Sequence, residues 1–135
     1  MDRTLVICKP DAVERGLAGA IVGRLEAKGL RLVAAELRTV DRETAERHYG
    51  EHAGKPFYES LVAFMTRGPA LLLVVEGPEE TPAVVRTMMG ATNPRSAAPG
   101  TIRGDLAVDL TENLVHGSDS PESAAREIGL FFPAL

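Results

Sequence analysis

The longest strictly apolar run in the chain, Ala70 to Val75, is only six residues long. A bilayer-spanning helix needs about 20 such residues, so this run belongs in a globular core. A run of this length, closed by Gly77-Pro78, reads as a buried strand. Thr4 to Cys8 is likewise short, apolar and β-branched. Between these two runs, Ile21, Val22 and Leu25 recur at spacings of three and four. That is one face of a helix, with Gly29 as its terminator. Leu32 to Val40 reads as a further strand, and Asp41 as the cap of a short helix running to about Tyr49.

Phe57, Leu61 and Phe64 again fall on one helical face, and residues 79–89 read as a helix with Pro82 in its first turn. The segment from Gly90 to Asp105 carries Asn93-Pro94, Pro99-Gly100 and Gly104. It reads as one long loop, and loops of that length inside a compact domain tend to be functional. Leu114 to His116 is a short strand ended by Gly117. Ser120-Pro121-Glu122 then opens a helix that runs to about Leu130: a hydroxyl cap, a proline at the first helical position and an acid near the positive end of the dipole. Short strands separated by helices fit an α/β sandwich with a sheet covered on one face. A ferredoxin-like βαββαβ order is the natural candidate, and a small doubly wound sheet is the alternative. The 135 residues fit one domain, 1–135.

The formal net charge of −4 argues against a broad nucleic-acid footprint but leaves room for a local cluster of cations. Cys8 is the only cysteine, so no intramolecular disulfide forms and a reducing compartment is the simpler assumption. The first residues lack the basic stretch and apolar run of a signal peptide. The expected location is cytoplasmic, with no membrane association.

The sequence contains no G-x-x-x-x-G-K-[ST], no G-x-G-x-x-G, no H-E-x-x-H and no paired C-x-x-C. Phosphates, if handled, are handled without a P-loop. The most informative stretch is Asn113-Leu-Val-His-Gly-Ser-Asp-Ser120. A histidine ends a strand, glycine clears space, and hydroxyls and a carboxylate follow at the mouth of a helix whose free N–H groups can hold an anion. His116 can be a nucleophile toward phosphorus, or it can merely hydrogen-bond the helix start; this segment alone leaves both open. Lys9, Arg86 and Arg103 lie beside strand ends or turns and could stabilise phosphate charge. Each is also readable as a solvated surface charge. Thr92, Thr101 and Ser118 offer hydroxyls. Phe57 fits either a core face or, after Lys55-Pro56, an exposed platform for a base. His48 and His52 could share a metal if helical, but Gly50 between them weakens that reading.

Together these segments resemble the nucleoside diphosphate kinase family, over nearly the whole chain. The likeness runs through Thr4 to Asp11, Arg15-Gly16-Leu17, Lys28 to Arg31, His48-Tyr49, Gly90 to Pro94, Pro99 to Asp105, Asn113 to Ser120 and Glu127 to Leu130. The resemblance implies a ferredoxin-like α+β core, with a four-stranded antiparallel sheet, added helices and the long loop before the active-site strand. It implies phosphoryl transfer from a nucleoside triphosphate (ATP) to a nucleoside diphosphate in a ping-pong cycle through His116, phosphorylated on Nδ1. Glu127 matches the carboxylate on the other ring nitrogen, and Ser118 a hydroxyl near the histidine. Lys9 and Asn113 match the residues that hold the sugar, with Lys9 and Tyr49 near the transferred group. Arg86, Thr92 and Arg103 match a polyphosphate clamp. Phe57 matches the base platform, with Leu110 opposite and Leu61 nearby; Leu110 stands where valine is frequent. Mg2+ is expected on the nucleotide phosphates with no direct protein ligand, Asp119 being at most a partner through water. A homo-oligomer is expected, a hexamer by the resemblance, with a tetramer as the main alternative because the chain stops at Leu135 without the C-terminal extension of longer members. The rivals are a nucleotide sensor without turnover and, secondarily, nucleic-acid binding.

Overall fold

The computed structural model describes residues 1–135. Strand β1 (Asp2–Cys8) is followed by helices α1 (Pro10–Glu14) and α2 (Ala18–Ala27), then by strand β2 (Arg31–Arg38). Helices α3 (Arg42–His48) and α4 (Tyr58–Thr66) lead to β3 (Ala70–Gly77). Helices α5 (Thr81–Met89) and α6 (Ile102–Leu106), strand β4 (Val115–Gly117) and helix α7 (Pro121–Phe131) complete the chain.

The sheet order is β2-β3-β1-β4. All three neighbouring pairs are antiparallel, which selects the ferredoxin-like arrangement over the doubly wound one. No helix is long and apolar enough to cross a membrane.

Successive strand side chains point to opposite faces, and here both faces are packed. Val6, Cys8, Leu73 and Val75 join Ile21, Leu25, Val85 and Met89 on one side. Leu5, Ile7, Leu72 and Val74 join Ala45, Val62, Met65 and Phe131 on the other. The sheet is therefore covered on both faces, not on one as the element pattern suggested. Double burial is also why Ala70 to Val75 shows no polar alternation.

Local signals set most boundaries. Asp41 caps α3, accepting from Thr44 N at 3.1 Å, and Ser120 caps α7, accepting from Ser123 N at 3.0 Å. Gly29, at φ +98°, ends α2 in the left-handed region that glycine enters without steric cost. β2 stops at Arg38, short of the expected Val40, which turns into the core beside Phe131. The segment from Gly90 to Asp105 is not one loop. It holds a 3-10 turn at Pro94–Ser96 and enters α6, whose cap Thr101 accepts from Gly104 N at 3.0 Å. Helix α1, also unforeseen, carries Pro10 at its first position.

Candidate functional site

His116 lies in β4, directly opposite Ile7 of β1. Its side chain is half-buried, while Val115 and Gly117 are buried. A Cβ on Gly117 would lie 2.7 Å from Met89 Sδ, so a larger residue would force that buried side chain of α5 to move. That is the space the sequence suggested the glycine clears.

The entry to β4 is strained. Leu114 is buried at φ +75°, which for a residue with a Cβ costs roughly 1–2 kcal/mol. Two long-range bonds hold it there. Its N–H donates to Asp11 Oδ2 at 3.0 Å, and its carbonyl accepts from Lys9 N at 2.8 Å. The kink accompanies a tight polar knot. Lys9 Nζ donates to Asn113 Oδ1 at 2.6 Å, and Asn113 Nδ2 donates to the carbonyls of Leu110 at 2.9 Å and Thr92 at 3.1 Å.

A cleft of about 440 Å³ opens beside this knot. Its cationic wall is Lys9, Arg86 and Arg103, and its polar wall is Tyr49, Thr92 and Asn113. Phe57, Leu61 and Leu110 form the apolar mouth, and His116 closes the inner end. Ser60 and Thr111 also line it; sequence reasoning missed both, because isolated hydroxyls carry no pattern.

Arg103 is almost fully buried yet has no carboxylate partner. Its guanidinium donates to backbone carbonyls of Val115 at 2.7 Å, Gly90 at 3.0 Å and Asn113 at 3.3 Å. Burial, then the charge of Arg86, lowers its pKa to about 10. Lys9 is lowered to about 8 by burial, with Asp11 opposing and Arg103 assisting. Arg86 is held by the Gly117 carbonyl at 3.2 Å. The cleft thus gathers cations in short supply of counter-charge, the electrostatic profile of an anion site.

Phe57 and Leu110 stay 45 % and 59 % exposed. Phe57 is the residue before α4 rather than part of its core face, so the core reading does not hold.

Behind His116 sits Glu127 of α7. His116 Nε2 lies 2.9 Å from Glu127 Oε1, and Ser118 Oγ donates to the same oxygen at 2.7 Å. An ionised carboxylate only accepts, so Nε2 is the protonated nitrogen. Nδ1 then carries the lone pair. Burial pushes the Glu127 carboxyl up, but the bonds from His116 and Ser118 outweigh it and hold the pKa at about 2. Burial, with Glu127 adding, raises the Tyr49 phenol and keeps it a neutral donor.

Ser118 and Glu127 lie outside the cleft, supporting the histidine from behind. Asp119 is outside too, lining an adjoining hollow of about 180 Å³ that shares Tyr49, Arg86 and His116 with the cleft. His48 does not pair with His52 on a metal. It is buried against His116, with ring centroids 4.6 Å apart, a contact no sequence signal announced. Ligand atoms of His48, His116 and Glu127 fall within 4.8 Å of one another. Glu127 Oε1 is already taken by His116 Nε2 and Ser118 Oγ, so the carboxylate serves the histidine before it could serve a metal. The cleft lining itself contains no carboxylate, so a hard cation there finds protein amide and hydroxyl oxygens only.

An antiparallel ferredoxin-like sheet, with a carboxylate-anchored histidine at the end of a cationic cleft, defines an α+β protein that handles anionic substrates. The nucleoside diphosphate kinase family matches residues 2–135. A nucleoside diphosphate kinase of Frankia casuarinae is 62% identical over 135 residues, covering 100% of this chain and 98% of that one. One from Thermomicrobium roseum is 61% identical over 132 residues, covering 98% and 88%. Among solved structures, a halophilic nucleoside diphosphate kinase from Halobacterium salinarum in complex with CDP superposes with a TM-score of 0.94 at 51% identity, covering 97% of this chain and 87% of that one. A family protein from Babesia bovis gives 0.95 at 45% identity, covering 98% and 88%. The chain belongs to the nucleoside diphosphate kinase family and is an enzyme of nucleotide phosphoryl transfer.

Proposed function

We propose that residues 1–135 form one catalytic domain that moves the terminal phosphoryl group of a nucleoside triphosphate, ATP included, to a nucleoside diphosphate through a phosphohistidine on His116. The observation that carries this reading is the orientation of the ring. Nε2 is tied to Glu127 Oε1 at 2.9 Å, which leaves Nδ1 as the free nitrogen of a residue lining the cationic cleft.

In the first half-reaction the Nδ1 lone pair attacks the terminal phosphorus. The bond from phosphorus to the bridging oxygen breaks, and its electron pair leaves with the nucleoside diphosphate. No proton need move, because the nucleophile is already a neutral imidazole nitrogen. The ring keeps its Nε2–H and becomes cationic, a charge that ionised Glu127 offsets. Ser118 fixes the same carboxylate oxygen. A second nucleoside diphosphate then takes the group back by the reverse displacement.

Arg86, Arg103 and Thr92 clamp the polyphosphate. Lys9 and Tyr49 donate toward the transferred group, and Lys9 with Asn113 holds the sugar hydroxyls. The base lies between Phe57 and Leu110, with Leu61 beside them. Magnesium would arrive with the nucleotide, held by its phosphates and water and offsetting their charge, with Asp119 at most an indirect partner through water. A nucleoside diphosphate, the ligand class of the CDP complex of the Halobacterium salinarum relative, suits this cleft. The enzyme works in the cytoplasm as a homo-oligomer, a hexamer in preference to a tetramer, and a 14.4 kDa species in light scattering at micromolar concentration would overturn both. Nucleic acid is at most a secondary ligand for a chain of net charge −4.

The deciding experiment mixes the protein with magnesium ATP and looks for an acid-labile, alkali-stable phosphoryl adduct that His116→Ala no longer forms. An unmodified wild-type protein would overturn the reading.

A further inference from the structure

His48 closes α3, is 5 % exposed and is absent from the chemistry above. Its ring meets His116 nearly edge-on, with centroids 4.6 Å apart and planes at 86°. Tyr49 and Phe131 enclose it at 4.7 and 5.4 Å. Its Nδ1 is buried without a hydrogen-bond partner and lies 3.8 Å from Glu127 Oε2. A buried polar atom left alone in this way calls for an explanation.

The protonation state follows from the surroundings. Burial, with His116, Arg126 and Lys9 assisting and only Glu127 opposing, holds the ring neutral, with a pKa lowered to about 3. A neutral imidazole carries one proton, on either nitrogen. With the proton on Nε2, the Nδ1 lone pair would face a buried carboxylate oxygen, two electron-rich atoms in a low-dielectric setting. With the proton on Nδ1, the N–H dipole points at that oxygen. The second arrangement is the attractive one. At 3.8 Å it is a charge–dipole contact rather than a formed hydrogen bond, and a swing of less than an ångström would close it.

Glu127 depends on this contact for its balance. Oε1 is fixed by His116 Nε2 and Ser118 Oγ. Besides His48, the only donor at Oε2 is Arg126 Nη2 at 3.5 Å, on a side chain that is half-exposed. Without His48 the carboxylate can pivot, and a pivot moves Oε1 off His116. The edge contact adds a direct brace on the His116 ring, which β4 fixes only at its backbone.

We infer that His48 is a positioning residue for phosphoryl transfer: neutral, with its proton on Nδ1 directed at Glu127 Oε2, it steadies that carboxylate and braces the His116 ring. This rests on the reading of His116 as the nucleophile.

Two measurements test it. Long-range 1H–15N correlation spectra of the wild-type side chains, assigned with His48→Asn and His52→Asn, should show His48 as a neutral Nδ1–H tautomer at about pH 6, below the ordinary histidine midpoint. An Nε2–H tautomer or an imidazolium there would overturn the inference, whatever the variants do. Rapid-quench phosphorylation by magnesium ATP should slow by about 30-fold or more in His48→Phe, within the ~10²-fold range of a displaced reacting group. Binding of ADP should hold within about twofold, as expected when only the transition-state geometry is lost. His48→Asn, whose amide N–H can occupy the Nδ1 position, should recover the rate to within about fivefold of wild type, a loss of roughly 1 kcal/mol. Wild-type rates in both variants, or equal losses in both, would overturn the inference. Failure of the underlying reading looks different: the wild-type protein itself would carry no phosphoryl group on His116.

Discussion

The Nε2 atom of His116 lies 2.9 Å from Oε1 of Glu127, and the two residues belong to different elements, a three-residue strand and the C-terminal helix. This bond sets which ring nitrogen carries a proton and which carries a lone pair. Replacing Glu127 with Ala should therefore reduce kcat by about 10²-fold, the scale of a mis-set reacting group. Nucleotide affinity should change little, because Glu127 lies outside the cleft. Comparing phosphorylation rate with ADP affinity measures both, and a variant that loses affinity but keeps its rate contradicts the assignment.

Removal of the nucleophile itself should be more severe. His116→Ala should retain less than about a hundredth of the exchange activity between ATP and a second diphosphate. Calorimetric titration should still register nucleotide binding, since the cationic and apolar walls are untouched.

Arg103 donates to three carbonyls, those of Val115 and Asn113 in buried contacts and that of Gly90 in a part-buried one. Each buried acceptor left unsatisfied costs about 1–3 kcal/mol. Arg103→Met should thus lose at least about 2 kcal/mol of stability as well as nucleotide affinity. Urea unfolding of the unliganded variant checks the first and titration the second; unchanged stability would mean that water replaces the guanidinium.

Stability should fall on acidification in two limbs. His48 is neutral in the fold down to about pH 3, against 6.5 for the free side chain. Between those values the unfolded chain binds the extra proton, so stability drops as the pH falls below 6.5. Glu127 ionises at about 2 in the fold against 4.5 when free. Its contribution is complete above 4.5 and is lost as pH falls toward 2. Each proton tilts the curve by at most about 1.4 kcal/mol per pH unit. His48→Asn should flatten the first limb. Urea midpoints taken from about pH 7 to about pH 5 decide this, and parallel curves for the two proteins would exclude His48 as the group.

Specificity should be broad. Phe57 and Leu110 offer a base no donor and no acceptor, so discrimination rests on stacking, worth roughly 1–3 kcal/mol. Adenine, guanine, cytosine, uracil and thymine nucleotides should all react, with ribose or deoxyribose. Loss of the 3′-hydroxyl should hurt more than a change of base, because it strands Lys9 and Asn113. Values of kcat/KM for the common diphosphates and a 2′,3′-dideoxy analogue test both points. A preference for one base beyond about a thousandfold exceeds what stacking supplies and would exclude the slot.

Much of this was legible from residue order, for reasons that can be named. β3 was visible because both its faces are buried, which leaves an uninterrupted apolar run. Caps at Asp41 and Ser120 were visible because capping is local chemistry. α1 and α6 were not, since five residues complete too few turns to show a period. That the sheet is covered twice was hidden as well, because a helix's place in the sequence does not say which face it crosses. In the candidate site, Lys9, Arg86 and Arg103 line one cleft, although they stand far apart along the chain. The packing of His48 on His116 joins α3 to β4 across the molecule, and no spacing along the chain encodes it.

The crowding of Lys9, Arg86 and Arg103 around a space with no protein anion has a consequence for the lifetime of the enzyme. A ligand that binds only the folded chain stabilises it by about 2.7 kcal/mol at a hundred times its dissociation constant. An anion that relieves buried positive charge is such a ligand. When nucleotides are plentiful the folded population is reinforced, and when they run short the same molecules open more often to proteolysis. The abundance of the catalyst would then follow the supply of its substrate with no regulator in between.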